Sequence, residues 1–348
     1  MNSLEKPRDL SIDTLRGLAV FTMICANLGA EILTEPHPLL FRFYGTFAAP
    51  IFILLSGYMT SFSSSIKKYN LSYFIMRGLV VLLFAVFVDM VLWLCYPLVS
   101  FDVLYILALG IPLTYLFGKL RFSLKVLLVL AIFSITPLLQ SLLSYSQECF
   151  ELDLTESPKL LIANSNEIIR NFIINGWFPF FPWIGFVFSG SIFYDIRTKV
   201  KNFASLKFTL IGLMIFLPSL LSFLHFSQIN YVRDGYSELF YPATPLYIIM
   251  AIGLIIILFS IIDFTKSFKI YNPIRILGKR SLYVYISHIA IINYLLVNIL
   301  DDINMPLFLL VYIGLTIFLV LTAHFFGILK AKLTDNGVKL PYIIKVLF

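Results

Sequence analysis

Two polar sets on apolar segments, and one histidine between prolines, are the groups in this 348-residue chain whose spacing could do chemistry. On the first apolar segment Arg16 and Asn27 stand eleven positions apart. At 100° per residue they fall within about 20° of one another on a helix, with Asp13 and Glu31 near the same line. Asn27 then lies roughly 16 Å along the axis from Arg16. Such a stripe either lines a path through a bundle or is a hydrogen-bonded seam with Arg16 snorkelling to headgroups. Late in the chain Ser281, Tyr285 and His288 stand at i, i+4 and i+7 and share one helix face. His288 is an apolar-segment histidine, which either serves a site or simply bonds a neighbouring helix. His37 sits in Glu35-Pro36-His37-Pro38, where two prolines stiffen a short loop. An imidazole held at a bundle mouth is suited to general-base work near neutral pH; the plainer reading is a solvated loop histidine. His225 and His324 lack polar company at helical spacing and read as structural.

These groups need helices in a membrane to position them. Hydrophobic residues make up 59% of the chain and charged ones 13%, well below the roughly 25% charged of soluble domains. About 20 apolar residues cross a bilayer as helix, which predicts ten spans near residues 14–34, 46–63, 74–95, 101–118, 123–144, 171–194, 206–227, 244–264, 281–300 and 306–328. The expected fold class is an all-α polytopic bundle, one membrane domain over residues 1–348. Charged residues before the first span and the lack of a small-residue cleavage site predict that this span is retained.

Basic residues set the expected orientation. By this reading 22 of the 26 Lys and Arg residues fall on one side, including Lys6, Arg8, Arg16, Lys201, Lys279, Arg280, Lys339 and Lys345. Only Arg42, Lys159, Arg170 and Arg233 lie on the other, so both termini are predicted cytoplasmic. The net charge of +7 is accounted for by this bias and by anionic lipid, with no nucleic-acid partner implied. Cys25, Cys95 and Cys149 show no metal-ligand spacing, and no metal is expected. The segment from Trp177 to Trp183 contains Pro179 and Pro182 at the outer edge of the sixth span. It reads either as an interfacial aromatic belt or as an opened backbone whose rings wall a pocket and stack on a sugar.

Ser11-Ile12-Asp13-Thr14-Leu15-Arg16-Gly17-Leu18-Ala19, then Asn27, His37, Pro50 and Gly57, resembles the heparan-alpha-glucosaminide N-acetyltransferase-like family of transmembrane acyltransferases, especially its compact bacterial members. Asn175-Gly176-Trp177-Phe178-Pro179-Phe180-Phe181-Pro182-Trp183-Ile184-Gly185 resembles its second signature, and Leu277-Gly278-Lys279-Arg280-Ser281-Leu282-Tyr283-Val284-Tyr285-Ile286-Ser287-His288 its late one. The likeness runs from residue 11 to about residue 290.

The resemblance implies transfer of an acyl group, typically acetyl, from cytosolic acyl-CoA to an amine or hydroxyl of an extracytoplasmic sugar, in a bacterial cytoplasmic membrane. It makes His37 and Asn27 the catalytic residues. Arg16, Lys279, Arg280, Ser281, Tyr285 and His288 become the acyl-CoA contacts, and Arg42, Trp177 and Trp183 the contacts for a carbohydrate acceptor. Membrane lipids are the other partners, and a homodimer is plausible by resemblance alone. Relatives near the lysosomal enzyme carry an aspartate shortly before the proline opening the second helix, whereas this chain has Gly45-Thr46-Phe47-Ala48-Ala49-Pro50. The acidic partner of His37 therefore stays open among Glu31, Glu35 and Asp89. The alternative class is a multipass transporter or flippase, in which the same polar groups line a solute path without covalent chemistry.

Overall fold

A computed structural model describes residues 9–200, 205–226, 233, 237–336 and 341. Of the basic residues used for orientation, Lys6, Arg8, Lys201, Lys339 and Lys345 lie outside the described residues. The chain forms α1 (Leu10–Ile32), a short α2 (Leu39–Gly45), α3 (Ala48–Lys67), α4 (Leu71–Phe87), α5 (Val103–Phe117) and α6 (Phe122–Leu142). There follow two short helices, α7 (Lys159–Ala163) and α8 (Ser165–Arg170), then α9 (Phe180–Lys199) and α10 (Leu206–His225). The last part comprises α11 (Pro245–Thr265), α12 (Asn272–Lys279), α13 (Ser281–Ile291) and α14 (Met305–Asp335). No strand occurs among the described residues.

Eight of the ten predicted spans appear as helical stretches long and apolar enough to cross a bilayer. The other two are shorter apolar helices, Val103–Phe117 and Ser281–Leu296. At 15 residues α5 is about 22 Å long, short of the roughly 30 Å hydrocarbon core. It starts late because Asp102 takes the N-cap, accepting the backbone N–H of Val103 at 2.5 Å. Before it the backbone is irregular, with left-handed φ at Leu94, Leu98 and Phe101. Non-helical backbone inside a membrane bundle needs local partners. Here Leu98 N–H donates to Tyr105 Oη at 3.1 Å, while the Ser100 and Phe101 carbonyls accept the N–H groups of Trp177 and Phe178 at 2.9 Å each.

The helix caps follow from sequence chemistry. Asp9 caps α1 through the N–H groups of Ser11 and Ile12, Asn70 caps α4, and Thr244 and Asn304 cap α11 and α14 with proline in the first turn. Burial separates an inner group from a lipid-facing rim. Only 17% of the apolar window is buried in α6 and in α10, against 56% in α1 and α11 and 61% in the stretch ending with α9. One close crossing fixes the start of α1: a Cβ on Gly17 would lie 1.9 Å from the Ile274 carbonyl oxygen, and one on Gly278 would lie 1.9 Å from that of Asp13. Small residues let α1 and α12 meet backbone to backbone. Arg197 of α9 locks the same end, donating to Asp9 at 2.5 Å, to Asp263 of α11 at 2.6 Å and to Tyr58 of α3 at 2.6 Å.

Candidate active site

Two side-chain ties join α1 to α13, and they run in the same direction along both helices. Arg16 donates from Nη2 to Ser281 Oγ at 2.5 Å, and Asn27 Nδ2 meets His288 Nε2 at 2.9 Å. Between the ties α1 advances roughly 16 Å and α13 roughly 10 Å. The Arg16 guanidinium reaches the buried start of α13. Arg16 and Asn27 thus share a face, as the helical spacing requires, and the face they share is the one against α13.

The tautomer of His288 follows from its partners. Nδ1 lies 2.9 Å from the Val284 carbonyl oxygen, which can only accept, so Nδ1 carries the hydrogen. Nε2 is left as an acceptor and takes a hydrogen from the Asn27 amide. His288 is fully buried, while Asn27 is half-buried and lines a cavity of about 350 Å³.

That cavity lies among α1, the start of α3, the π-helical turn after α4 (Val88–Trp93), the entry to α5, the loop before α7, the broken segment before α9 and the face of α13. Asn27, Phe52, Trp177, Phe178, Phe240 and Tyr241 give it polar and aromatic walls. Six carboxylates also line it: Glu31, Asp89, Asp102, Glu151, Asp153 and Glu238. Two of them are engaged by tyrosine hydroxyls. Tyr105 donates to Asp89 Oδ2 at 2.5 Å, and Tyr285 donates to Asp102 Oδ2 at 2.6 Å. Burial pushes the Glu238 carboxyl above the usual carboxylate range.

The broken helix positions the aromatic wall. A π-helical turn, Asn171–Asn175, ends at Gly176, and helical dihedrals resume fully only after Phe181, whose ψ is 125°. The opened backbone expected of the tryptophan segment is present. Trp177 lines the cavity and donates from Nε1 to Glu151 at 2.6 Å. Trp183, expected as a second acceptor contact, is 1% exposed and does not line the cavity. It packs instead behind Phe178 and Phe240, each with its ring centre 5.0 Å away, so it supports the wall from the core.

Arg233 stands behind the same wall, fully buried, with its guanidinium 5.1–5.4 Å from the rings of Tyr145, Trp177 and Tyr241. It also donates to the Asn175 carbonyl.

The remaining expected contacts fall elsewhere. His37 is half-buried, and it does not line the cavity. Its Nε2 donates to the Leu33 carbonyl at 3.0 Å, its ring stands edge-on to Phe41, and its buried Nδ1 has no hydrogen-bond partner. Asp89 is turned to Tyr105 and is not the acid that orients His37. Arg42 donates to the carbonyls of Arg233 and Glu238 at 3.4 Å each, so it braces a loop at the cavity's edge. Arg280 packs its guanidinium over Gly327 of α14, and neither it nor Lys279 lines the cavity.

Asp102, in the lining, and Tyr105, buried behind Asp89, are groups that helical spacing alone does not single out. Asp102 carries one legible signal, an acid immediately before an apolar helical run, but that signal indicates a cap and says nothing of its second oxygen. No group of three or more His, Cys, Asp or Glu able to hold a metal ion occurs among the described residues.

Comparison with known proteins bears on what this cavity does. The family described as Heparan-alpha-glucosaminide N-acetyltransferase, catalytic, matches residues 8–217, a stretch that includes Arg16, Asn27, His37, Asp102 and Trp177. No curated protein matches the chain.

Proposed function

The chain belongs to the heparan-alpha-glucosaminide N-acetyltransferase family, whose match spans more than half of it, and from that premise we propose that it transfers acetyl from cytosolic acetyl-CoA to an amine or hydroxyl of an extracytoplasmic sugar. The carrying observation is the cavity, with Asn27 on its wall, His288 bonded behind that amide and aromatic rings in the lining. Its volume of about 350 Å³ suits a sugar ring or the narrow acyl-pantetheine arm, and its carboxylates disfavour the phosphates of the nucleotide. In this reading the nucleotide stays at the basic end of the bundle near Arg16, and the thioester carbonyl comes up beside Asn27.

The acceptor attacks that carbonyl, a C–N or C–O bond forms, the C–S bond breaks, and the acceptor's proton passes through a base to the departing CoA sulfur. The unprotonated Nε2 of His288, held behind Asn27, is the base in this reading, reached when the Asn27 amide swings to the substrate. The second N–H of that amide is then placed to steady the oxyanion, a contribution of about 3 kcal/mol in comparable sites. His37 supports a second assignment of the base, because its Nδ1 is an unprotonated nitrogen left without a partner. Direct transfer is favoured over an acyl-enzyme, since no Gly-x-Ser-x-Gly elbow occurs in the chain.

The test is transfer of radiolabelled acetyl from acetyl-CoA to membrane-extracted glycans by the purified full-length protein in detergent. His288→Ala, Asn27→Ala and His37→Ala are run alongside. Product formed by the wild type and lost in His288→Ala assigns the base to His288, behind Asn27. Loss in His37→Ala alone moves it to the loop. A folded wild-type sample that neither labels glycan nor binds CoA overturns the acyltransferase reading and returns the chain to the transport class.

A further inference from the structure

On the shared face of α13, Ser281 and His288 turn to α1, but Tyr285 turns to α5. Its hydroxyl donates to Asp102 Oδ2 at 2.6 Å, while the other oxygen of the same carboxylate holds the first N–H of α5 at 2.5 Å. Asp102 is therefore anchored at the helix start, and it fixes the phenol in turn. Both residues line the cavity, and Tyr285 is otherwise buried, at 3% exposure. Because the phenol proton is committed to Asp102, the Tyr285 oxygen offers the cavity only lone pairs. A group docking there must bring an N–H or O–H. Its ring centre lies 5.7 Å from that of His288, so a donor docked on Tyr285 is within one side chain's reach of the Asn27–His288 pair.

The surrounding charge decides which substrate docks. Asp89 and Asp102 lie beside Tyr285 in the lining, with Glu151, Asp153 and Glu238 on the same cavity surface. CoA's phosphates are repelled there, and the thioester end of CoA has no N–H or O–H at its reacting carbon. The acceptor's attacking group has one by definition.

We infer that Tyr285, held by Asp102, is the residue that docks the acceptor's attacking amine, an assignment that rests on the acyl-transfer reading above. The phenol oxygen accepts one hydrogen of the attacking group and aims its lone pair at the thioester carbonyl. Asp102 is a positioning residue, acting through the phenol. The proton leaving the attacking atom goes to the base, and Tyr285 keeps its own.

The experiment measures initial rates with the full-length protein in detergent, using acetyl-CoA and D-glucosamine, with N-acetylglucosamine and free CoA both quantified. Tyr285→Phe removes a single oxygen, and a thermal melt checks its folding. It is expected to raise the KM for glucosamine about tenfold while leaving the KM for acetyl-CoA as in the wild type. Asp102→Ala should raise the glucosamine KM similarly. Asp102→Asn keeps the cap through its one oxygen but turns an amide N–H toward the phenol oxygen, so it should raise the glucosamine KM as Asp102→Ala does without removing the cap. An unchanged glucosamine KM in Tyr285→Phe overturns the inference, and so does an equal rise in both KM values, which marks a merely structural role. Wild-type protein that releases CoA to water but never acetylates glucosamine also overturns it, while acyl transfer itself survives. Protein that releases no CoA under any condition fails the underlying reading instead.

Discussion

Replacing Gly17 by alanine adds one methyl group where α1 and α12 touch, and the geometry sets its cost. The new Cβ would sit 1.9 Å from the Ile274 carbonyl oxygen and 2.7 Å from that residue's Cγ2. Ordinary contact begins at 3.4 Å, so the two backbones must part by about 1.5 Å. A carbonyl held in a helix cannot rotate away as a flexible side chain would. Parting the helices also stretches the 3.1 Å hydrogen bond from Arg275 Nε to Thr14 Oγ1 past its useful range. Overpacking costs about 1–3 kcal/mol and loss of a charged hydrogen bond about 1.5–3, offset by about 1 from alanine's better helix propensity. The expected net loss is about 1.5–5 kcal/mol, a drop of about 2–7 °C in the melting temperature. Gly314→Ala in α14 is the matched control, since its added Cβ meets nothing within 4 Å. It should stay within about 1 kcal/mol of wild type. Thermal unfolding of both variants in one detergent makes the comparison. If Gly17→Ala melts with Gly314→Ala, the close crossing of α1 and α12 is wrong, and the placement of Arg16 and Asn27 loses its support.

Two further perturbations test the charged anchors. At Asp9, burial pushes the carboxyl pKa up, but the hydrogen bonds and charge of Arg197 outweigh it and hold the folded value below 3.8. A depressed carboxylate contributes stability that is complete above its unfolded pKa and is lost as pH falls through its folded one. The stability gap between wild type and Asp9→Asn should therefore be constant at neutral pH and close as pH drops below about 4, followed by melting temperature against pH. A gap that widened on acidification would contradict the sign. Lys125 of α6, its side chain 4% exposed, pairs with Asp195 of α9 at 2.8 Å. Lys125→Met should destabilise by about 2–3 kcal/mol by leaving Asp195 unpaired, and Lys125→Met with Asp195→Leu should recover most of it; unfolding of the two variants checks both.

Much of the fold was legible because the bilayer imposes a length and a polarity on each span. The ten apolar segments are present, although α5 begins late at the Asp102 cap and α13 is likewise short. Helical periodicity also placed Arg16 with Asn27, and Ser281 with Tyr285 and His288, on common faces. The two prolines between Trp177 and Trp183 marked a real break in the backbone. Each of these is a local property, decided by residues within a few turns of one another.

Partners across the bundle were not legible. Asn27 and His288 are 261 residues apart, and Tyr285 and Asp102 are 183 apart. A helix's periodicity states which residues share a face, but not which neighbour that face meets. The same blindness put Trp183 in a pocket when packing holds it in the core, and left Asp89 among the candidate partners of His37 when Tyr105 claims it. Sequence alone determined the membrane helices and their polar faces, because hydropathy and the 3.6-residue turn act locally. Only the tertiary structure decided which polar groups converge on the cavity, because that depends on how each helix is rotated and shifted against the others, which close contacts such as Gly17 on Ile274 enforce.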